Sequence, residues 1–396
     1  MRVLSISTLY PYPARPSFGV FVGNQMRAVA ARGDVDLTVI SPIGIPPWPL
    51  STREPYHGRK AIPDSASEDA PTVHYPRFTL IPKIGGDSNP GRIARAILPL
   101  ARRLHREKPF DLIDASFFFP DGPAAARVAR ELGLPLTIKA RGADIHHWGA
   151  RPKALVQMLA AADRAAALLS VSAALGRDMA ALGMAADKIH VHYTGLDRDR
   201  FRPTDRAAAR AGVERVYRIP PQGPLLLAAG ALIERKGQRL AIEALARLSG
   251  ARLPGARLAL VGSGEDEGLL RRRAAELGLA DRVHFLGVVS HDHLPELLRA
   301  ADVMVLPSAS EGLANVWVEA LACGTPIVIP DIGGAREVVK EPSAGRIAPR
   351  NPAGIAAALS ELLAAPPSQA DAAGNVAQFS WRENAARIVD IWRGVI

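Results

Sequence analysis

Residues 302–334 read DVMVLPSASEGLANVWVEALACGTPIVIPDIGG, and they limit the fold more than any other stretch. Val303 to Leu306 is a short apolar run of the buried-strand kind. Pro307 to Ser310 is rich in turn formers. Asn315 is a good N-cap and Gly324 stands where a helix ends, so a helix is predicted between them. Ile327 to Ile329 is then the next strand. A loop that leaves the carboxyl end of such a strand opens onto the crevice where α/β sheets hold ligands.

Two acids stand out there, Glu311 in the loop and Glu319 in the helix, with seven residues between them. Glu319 sits among Val316, Val318 and Leu321, where a carboxylate is costly without partners. The backbone N–H groups of Gly312, Leu313, Ala314 and Asn315 gather at the helix start, where the helix dipole favours an anion. One unit thus offers amides for a phosphate and carboxylates for hydroxyl groups, the combination a nucleotide-sugar needs. Taken alone, Glu311 reads better as a residue that favours the helix start, and Glu319 as one that faces water. The whole string resembles the signature of family 4 glycosyltransferases, a Glu–seven–Glu motif followed by EALACGTPIV. The resemblance implies that Glu311 contacts the donor sugar and that Glu319 holds the ribose hydroxyls.

A chain of 396 residues exceeds one ordinary core, so two domains are expected. No apolar run of about 18 residues exists, which argues against a membrane span. Cys323 is the only cysteine, so no internal disulfide forms, and a cytoplasmic location is expected. The net charge of +10 is uneven: 26 Lys+Arg against 18 Asp+Glu over residues 1–200, and 23 against 21 over the rest. A basic first half suggests an anionic partner, a lipid surface or a diphosphate-linked substrate. No motif accompanies the charge to suggest nucleic acid.

The first half alternates strands with helices, implying a parallel, doubly wound sheet. Val3 to Ser7 is the first strand, followed by a Pro- and Tyr-rich loop ending at Gly19 and a helix from about Val20 to Ala31. In the family, glycine at the Gly19 position lets backbone approach donor phosphate and acceptor. Residues 41–91 are irregular and proline-rich, with a strand near Val73 to Tyr75. Residues 91–108 form a basic helical pattern in which Ile93, Ile97, Leu100 and Leu104 share a face. That pattern fits an anionic-membrane surface helix and an ordinary amphipathic helix equally. Leu136 to Lys139 is a strand, and Ala140-Arg141-Gly142-Ala143-Asp144 leaves its end. Many family members carry His-Gly-x-Asp here; Arg141 replaces the histidine, and the sequence resembles a subgroup of bacterial surface-polysaccharide enzymes that includes teichuronic-acid glycosyltransferases. Arg141 is then a fixed cation for the departing phosphate, and Asp144 binds acceptor or orients Arg141. Asp197 and Asp199 lie in a loop and do not read as metal ligands; His190 and His192 share a strand face with no third ligand near in sequence.

Residues 200–222, rich in Arg, Ala and Pro, read as the linker. The second domain opens with Leu225 to Ala228 and then GALIERKG. The family places Arg and Lys here on the diphosphate. Lys236 keeps the second position, Ala231 stands at the first, and Arg235 is the substitute. Gly262 follows the strand Leu258 to Val261, and backbone at Val288 and Val289 reads the base in the family. The resemblance implies the GT-B fold, two doubly wound parallel-sheet α/β domains facing across a cleft. The first covers 1–205 with a helix at 378–396 packing back on it; the second covers 220–377. The implied activity is retaining and metal-independent, without cofactor. Its donor is a nucleotide-sugar, UDP before GDP, and its acceptor a lipid-linked or oligosaccharide glycan, reached in the cytoplasm or on the inner face of the plasma membrane. A nucleotide-sugar 2-epimerase of this fold and a non-catalytic two-lobed sugar-binding protein are the alternatives.

Overall fold

The computed structural model describes residues 1–13, 15–16, 18–67, 71–82, 85–251 and 255–396. Ala14 and Ser17 of the loop after the first strand, and 68–70, 83 and 84 of the proline-rich segment, lie outside the described residues. The chain divides into two compact units, Met1–Gly195 with Trp381–Ile396, and Leu196–Ser380.

In the first unit, short apolar runs form one sheet. Its strands lie in the order Ile189–Val191, Ala167–Ser170, Leu136–Ala140, Leu112–Ala115, Arg2–Ile6, Asp36–Ile40, Thr72–His74 and Ser65–Ala66. All pairs are parallel except the last. The five central strands, from Ala167–Ser170 to Asp36–Ile40, are buried almost throughout and so need near-continuous apolar sequence rather than alternation. Order reverses between Arg2–Ile6 and Leu112–Ala115, so the loops after these two strands diverge and leave a crevice. The strand expected near Val73 to Tyr75 is Thr72–His74 and joins the sheet, and the segment otherwise expected to be irregular also pairs Ile43–Ile45 with Arg77–Thr79.

The basic helix runs Asn89–Glu107 through Pro99 without interruption. Its Ile93, Ala94, Ile97 and Ala101 are buried while Arg95, Arg102, Arg103 and Arg106 are exposed. The apolar face is therefore spent on the protein core. The terminal helix Trp381–Arg393 packs on the helix Val20–Ala30. Trp392 is fully buried there and donates through Nε1 to Thr137 Oγ1 at 3.1 Å.

The second unit holds six parallel strands in the order Val283–Gly287, Arg257–Val261, Leu225–Ala229, Val303–Val305, Ile327–Ile329 and Gly345–Ile347. Numbered within the unit this is 3-2-1-4-5-6, the dinucleotide-fold order, with its switch point between Leu225–Ala229 and Val303–Val305. The stretch 200–222 is not an open linker. Residues Arg206–Tyr217 form a helix, capped by Asp205 and tied down by an ion pair of Arg210 with Asp302. The crossing from the first unit falls earlier, after Gly195.

Candidate functional site

The switch point of the second unit brings two loops together, 230–237 and 306–314. A short turn, Glu234–Lys236, ends at Gly237 with φ 72°. A Cβ at position 237 would lie 2.2 Å from the Pro307 carbonyl oxygen, so only glycine lets the loops meet. The Ala309 amide donates to the Arg235 carbonyl at 2.7 Å, and Arg235 Nη1 donates to the Ser310 carbonyl at 2.6 Å. These contacts set the cations of the first loop against the acid of the second. Lys236 Nζ is ion-paired with Glu311 Oε1, and Arg235 Nη1 lies 3.6 Å from the same oxygen. Glu311 and Lys236 are 11% and 15% exposed, whereas Arg235 is 42% exposed. The pair is thus shielded from water, and Arg235 reaches into solvent.

Two residues that sequence reading missed hold the acid loop from the other side. The Gly334 amide donates to the Gly312 carbonyl at 2.8 Å, and a Cβ on Gly333 would lie 2.1 Å from the Glu311 carbonyl oxygen. The signal was present as a Gly-Gly pair just past the strand Ile327–Ile329.

The following helix is Asn315–Ala322. Ala314, not Asn315, is its N-cap: Ala314 keeps extended φ/ψ and its carbonyl accepts from the Trp317 amide at 3.0 Å. No side chain caps this end. Gly312, Leu313 and Ala314 precede the helix, whose first residue is Asn315. Glu319 lies one turn further along, 12% exposed, and accepts from His291 Nε2 at 3.0 Å. His291 was not singled out by sequence, because it lies 28 positions away in a loop.

Gly262 has φ 131°, and a Cβ there would lie 2.1 Å from the Gly230 carbonyl oxygen. Its amide donates to the Gly287 carbonyl at 2.8 Å. Gly262 therefore lets the second strand's loop lie flat on the first. Val288, 74% exposed, and half-buried Val289 follow the outermost strand.

In the first unit, Gly19 is the N-cap of the helix Val20–Ala30 with φ 61°, and a Cβ would lie 2.6 Å from the Leu9 carbonyl carbon and oxygen. Arg141 leaves the strand Leu136–Ala140. Its Nε donates to the Ser116 carbonyl at 2.7 Å and Nη2 to Gln25 Oε1 at 3.4 Å, with the guanidinium 4.9 Å from the Phe21 ring centre. Burial lowers Arg141 to about 10, against the pull of Asp144, Asp114 and Asp121. Asp144 is fully buried, and its two oxygens accept from the amides of Phe118, Arg141 and Gly142 at 2.8–3.2 Å. It organises the backbone of the arginine loop, and burial raises its carboxyl against those amides.

Sequence reading also missed a buried charged set beneath this loop. Lys139 Nζ lies 3.1 Å from Gln25 Oε1 and 2.8 Å from His192 Nδ1, and His192 Nε2 donates to the Asn384 carbonyl at 2.9 Å. Burial first, then the Arg141 charge, drives Lys139 well below its ordinary value. Burial raises the Asp121 carboxyl to about 7, against the Thr8 amide that donates to it at 2.9 Å. His192 is thus a structural residue, and no cluster of three His, Cys, Asp or Glu fit for a metal occurs among the described residues.

Residues 212–379 match the family model described as Glycosyl transferases group 1, and residues 18–200 match that of Glycosyltransferase Family 4. D-inositol 3-phosphate glycosyltransferase 1 of Catenulispora acidiphila is 31% identical over 311 residues, covering 72% of this chain and 73% of that protein. A GDP-mannose-dependent alpha-(1-6)-phosphatidylinositol monomannoside mannosyltransferase of Mycobacterium tuberculosis is 36% identical over 213 residues, 50% of this chain and 54% of that one. The chain spans about half the length of several such relatives, 48% for the D-inositol 3-phosphate glycosyltransferase 2 of C. acidiphila and 44% for the D-inositol 3-phosphate glycosyltransferase of Mycolicibacterium smegmatis. Among solved structures, sucrose-phosphate synthase from Thermosynechococcus elongatus superposes with TM-score 0.78 at 20% identity, covering 100% of this chain and 99% of that one. The Anabaena protein HepE in complex with UDP gives 0.75 at 19%, covering 100% of both. These likenesses establish the GT-B fold, two Rossmann-like parallel-sheet domains.

Proposed function

Because this chain belongs to the group 1, family 4 glycosyltransferases, we propose that it moves a sugar from a nucleoside-diphosphate donor to a lipid-linked or oligosaccharide acceptor with retention of configuration. The observation that carries this reading is the shielded Lys236–Glu311 pair, with Arg235 beside it, at the switch point of a dinucleotide-type sheet. On donor binding, Lys236 and Arg235 turn from Glu311 to the diphosphate, and Glu311 takes a sugar hydroxyl. Glu319 holds the ribose, and the uncapped helix start at Asn315 faces negative charge. The bond from the anomeric carbon to the phosphate oxygen breaks and that to the acceptor oxygen forms on the same face. The acceptor proton passes to the leaving phosphate oxygen. The cations stabilise the charge that grows on the diphosphate. In the other unit Arg141 supplies a fixed cation, and Asp144 acts on it through the backbone as a positioning residue.

A UDP-sugar is the first reading of the donor. The similarity to a GDP-mannose-dependent enzyme favours GDP-mannose as the second. The acceptor is a growing bacterial surface glycan, and the exposed arginines of Asn89–Glu107 attract an anionic cytoplasmic membrane face without inserting, since the apolar face is buried. Thermal shift across UDP- and GDP-sugars, followed by NMR of the product anomer, tests the donor and the stereochemistry. Sugar conversion without any acceptor would move the assignment to an epimerase. Co-sedimentation with anionic and neutral vesicles tests the surface; equal binding to both refutes it.

A further inference from the structure

We infer that His291 is a positioning residue that aims the Glu319 carboxylate at the donor ribose, itself locked from behind by Arg200; this rests on the donor-site reading above. The hydrogen-bond chemistry leaves one arrangement. An arginine can only donate. Arg200 Nη1 lies 3.3 Å from His291 Nδ1, so Nδ1 presents its lone pair. The ring hydrogen then sits on Nε2, which donates to Glu319 Oε1 at 3.0 Å. One carboxylate oxygen is thereby fixed and its partner oxygen is oriented for a hydroxyl.

The lock behind His291 is itself secured. Arg200 Nη1 pairs with Asp292 Oδ1 at 2.9 Å, and its Nε lies 3.7 Å from Asp197 Oδ2. Asp197 folds its own loop by accepting the amides of Asp199 at 3.2 Å and Arg200 at 3.1 Å. Phe201, 2% exposed, sets its ring edge-on to His291 with centroids 5.1 Å apart, which holds the imidazole plane. Arg299 anchors the next residues by donating to the Arg202 carbonyl at 2.9 Å. The loop 197–202 that opens the second unit therefore governs, through one imidazole, how a buried acid meets its ligand. A carboxylate on a free rotor would lose orientation on each binding event; this one is pre-set.

Calorimetry of the whole chain with UDP and GDP, each against its 2′-deoxy counterpart, tests this. The wild type binds the ribonucleotide more tightly. His291→Phe keeps the ring and removes the donor, and the expected result is about tenfold weaker ribonucleotide binding with deoxy binding nearly unchanged. The preference is then erased. Gln places an N–H where Nε2 stood, so His291→Gln should restore it. In turnover, donor KM rises while kcat stays within about twofold. Arg200→Met approaches the relay from its far end, and about a threefold loss confined to the ribonucleotide is expected. If His291→Phe and Arg200→Met keep the preference, or weaken both nucleotides equally, the inference is overturned. A wild type that binds none of the four nucleotides instead sinks the donor-site reading, and this one with it.

Discussion

Replacing Lys236 by Met removes a cation from the proposed diphosphate position while keeping the aliphatic stem. Lys236 is 15% exposed and its partner Glu311 11%, so the local dielectric is well below that of water. At about 4 Å and an effective dielectric of about 20, two unit charges interact by about 4 kcal/mol. Only the part that grows as the diphosphate leaves accelerates the reaction. Taking about two thirds of the interaction gives about 2.7 kcal/mol, or roughly 10²-fold in rate. Glu311 keeps Arg235 at 3.6 Å, so the acid is not orphaned and the fold should survive. Lys236→Met is expected to lose about 10²-fold in kcat/KM, measured by nucleoside-diphosphate release at saturating acceptor, with melting temperature within a few degrees of wild type. Lys236→Arg should recover most of the loss. A folded Lys236→Met enzyme working within threefold of wild type would refute the assignment of this loop to the diphosphate.

Asp121 makes a prediction about pH. Its carboxyl is raised from 3.8 to about 7, so between those values the folded chain holds a proton that the unfolded chain has released. Its contribution to stability is full below 3.8 and is lost as pH rises through 7; Asp121→Asn should gain on wild type across pH 5–8, by at most about 4 kcal/mol in urea unfolding. Comparing the two proteins isolates this group from Lys139 and His192, whose lowered values act in the opposite sense. Parallel pH profiles would contradict it. Gly333→Ala forces a Cβ to within 2.1 Å of the Glu311 carbonyl at φ 47°, so donor affinity should fall at least about tenfold by calorimetry while the fold persists. Cys323 is buried and its thiol pushed up to about 12, so a disulfide reagent should modify it only after unfolding; fast labelling of native protein would contradict its placement.

What could be read from sequence was what is local in it. Glu311, Glu319 and the strands on either side fall within 33 residues, and each element announces itself by apolar runs and a terminal glycine. Lys236 was found because a short motif, Arg-Lys-Gly, carries it; the sheet order that sets it against Glu311 across 75 positions is invisible in a linear pattern. His291 reaches Glu319, and Gly333 reaches Glu311, only through tertiary packing. Lys139 looked like the polar end of a strand, yet it is fully buried against Gln25 and His192, partners 114 and 53 positions away. The helix cap was misassigned by one residue because side-chain preference favours Asn, whereas here the backbone of Ala314 makes the turn. The apolar face of Asn89–Glu107 fits two readings as a linear pattern, and burial of Ile93 and Ile97 shows that it packs into the core.

The helix Trp381–Arg393 has a consequence for how the chain is made. The first 195 residues leave the ribosome without the piece that fills the groove beside Val22, Met26 and Val29, because Ile388, Val389 and Trp392 occupy it. The second unit is continuous and sits between them, so at ordinary translation speed the missing helix arrives roughly 10–40 s later. The unit synthesised second is therefore able to finish first, and the earlier one waits with an open apolar slot, a natural client for a holding chaperone until the last turn is delivered.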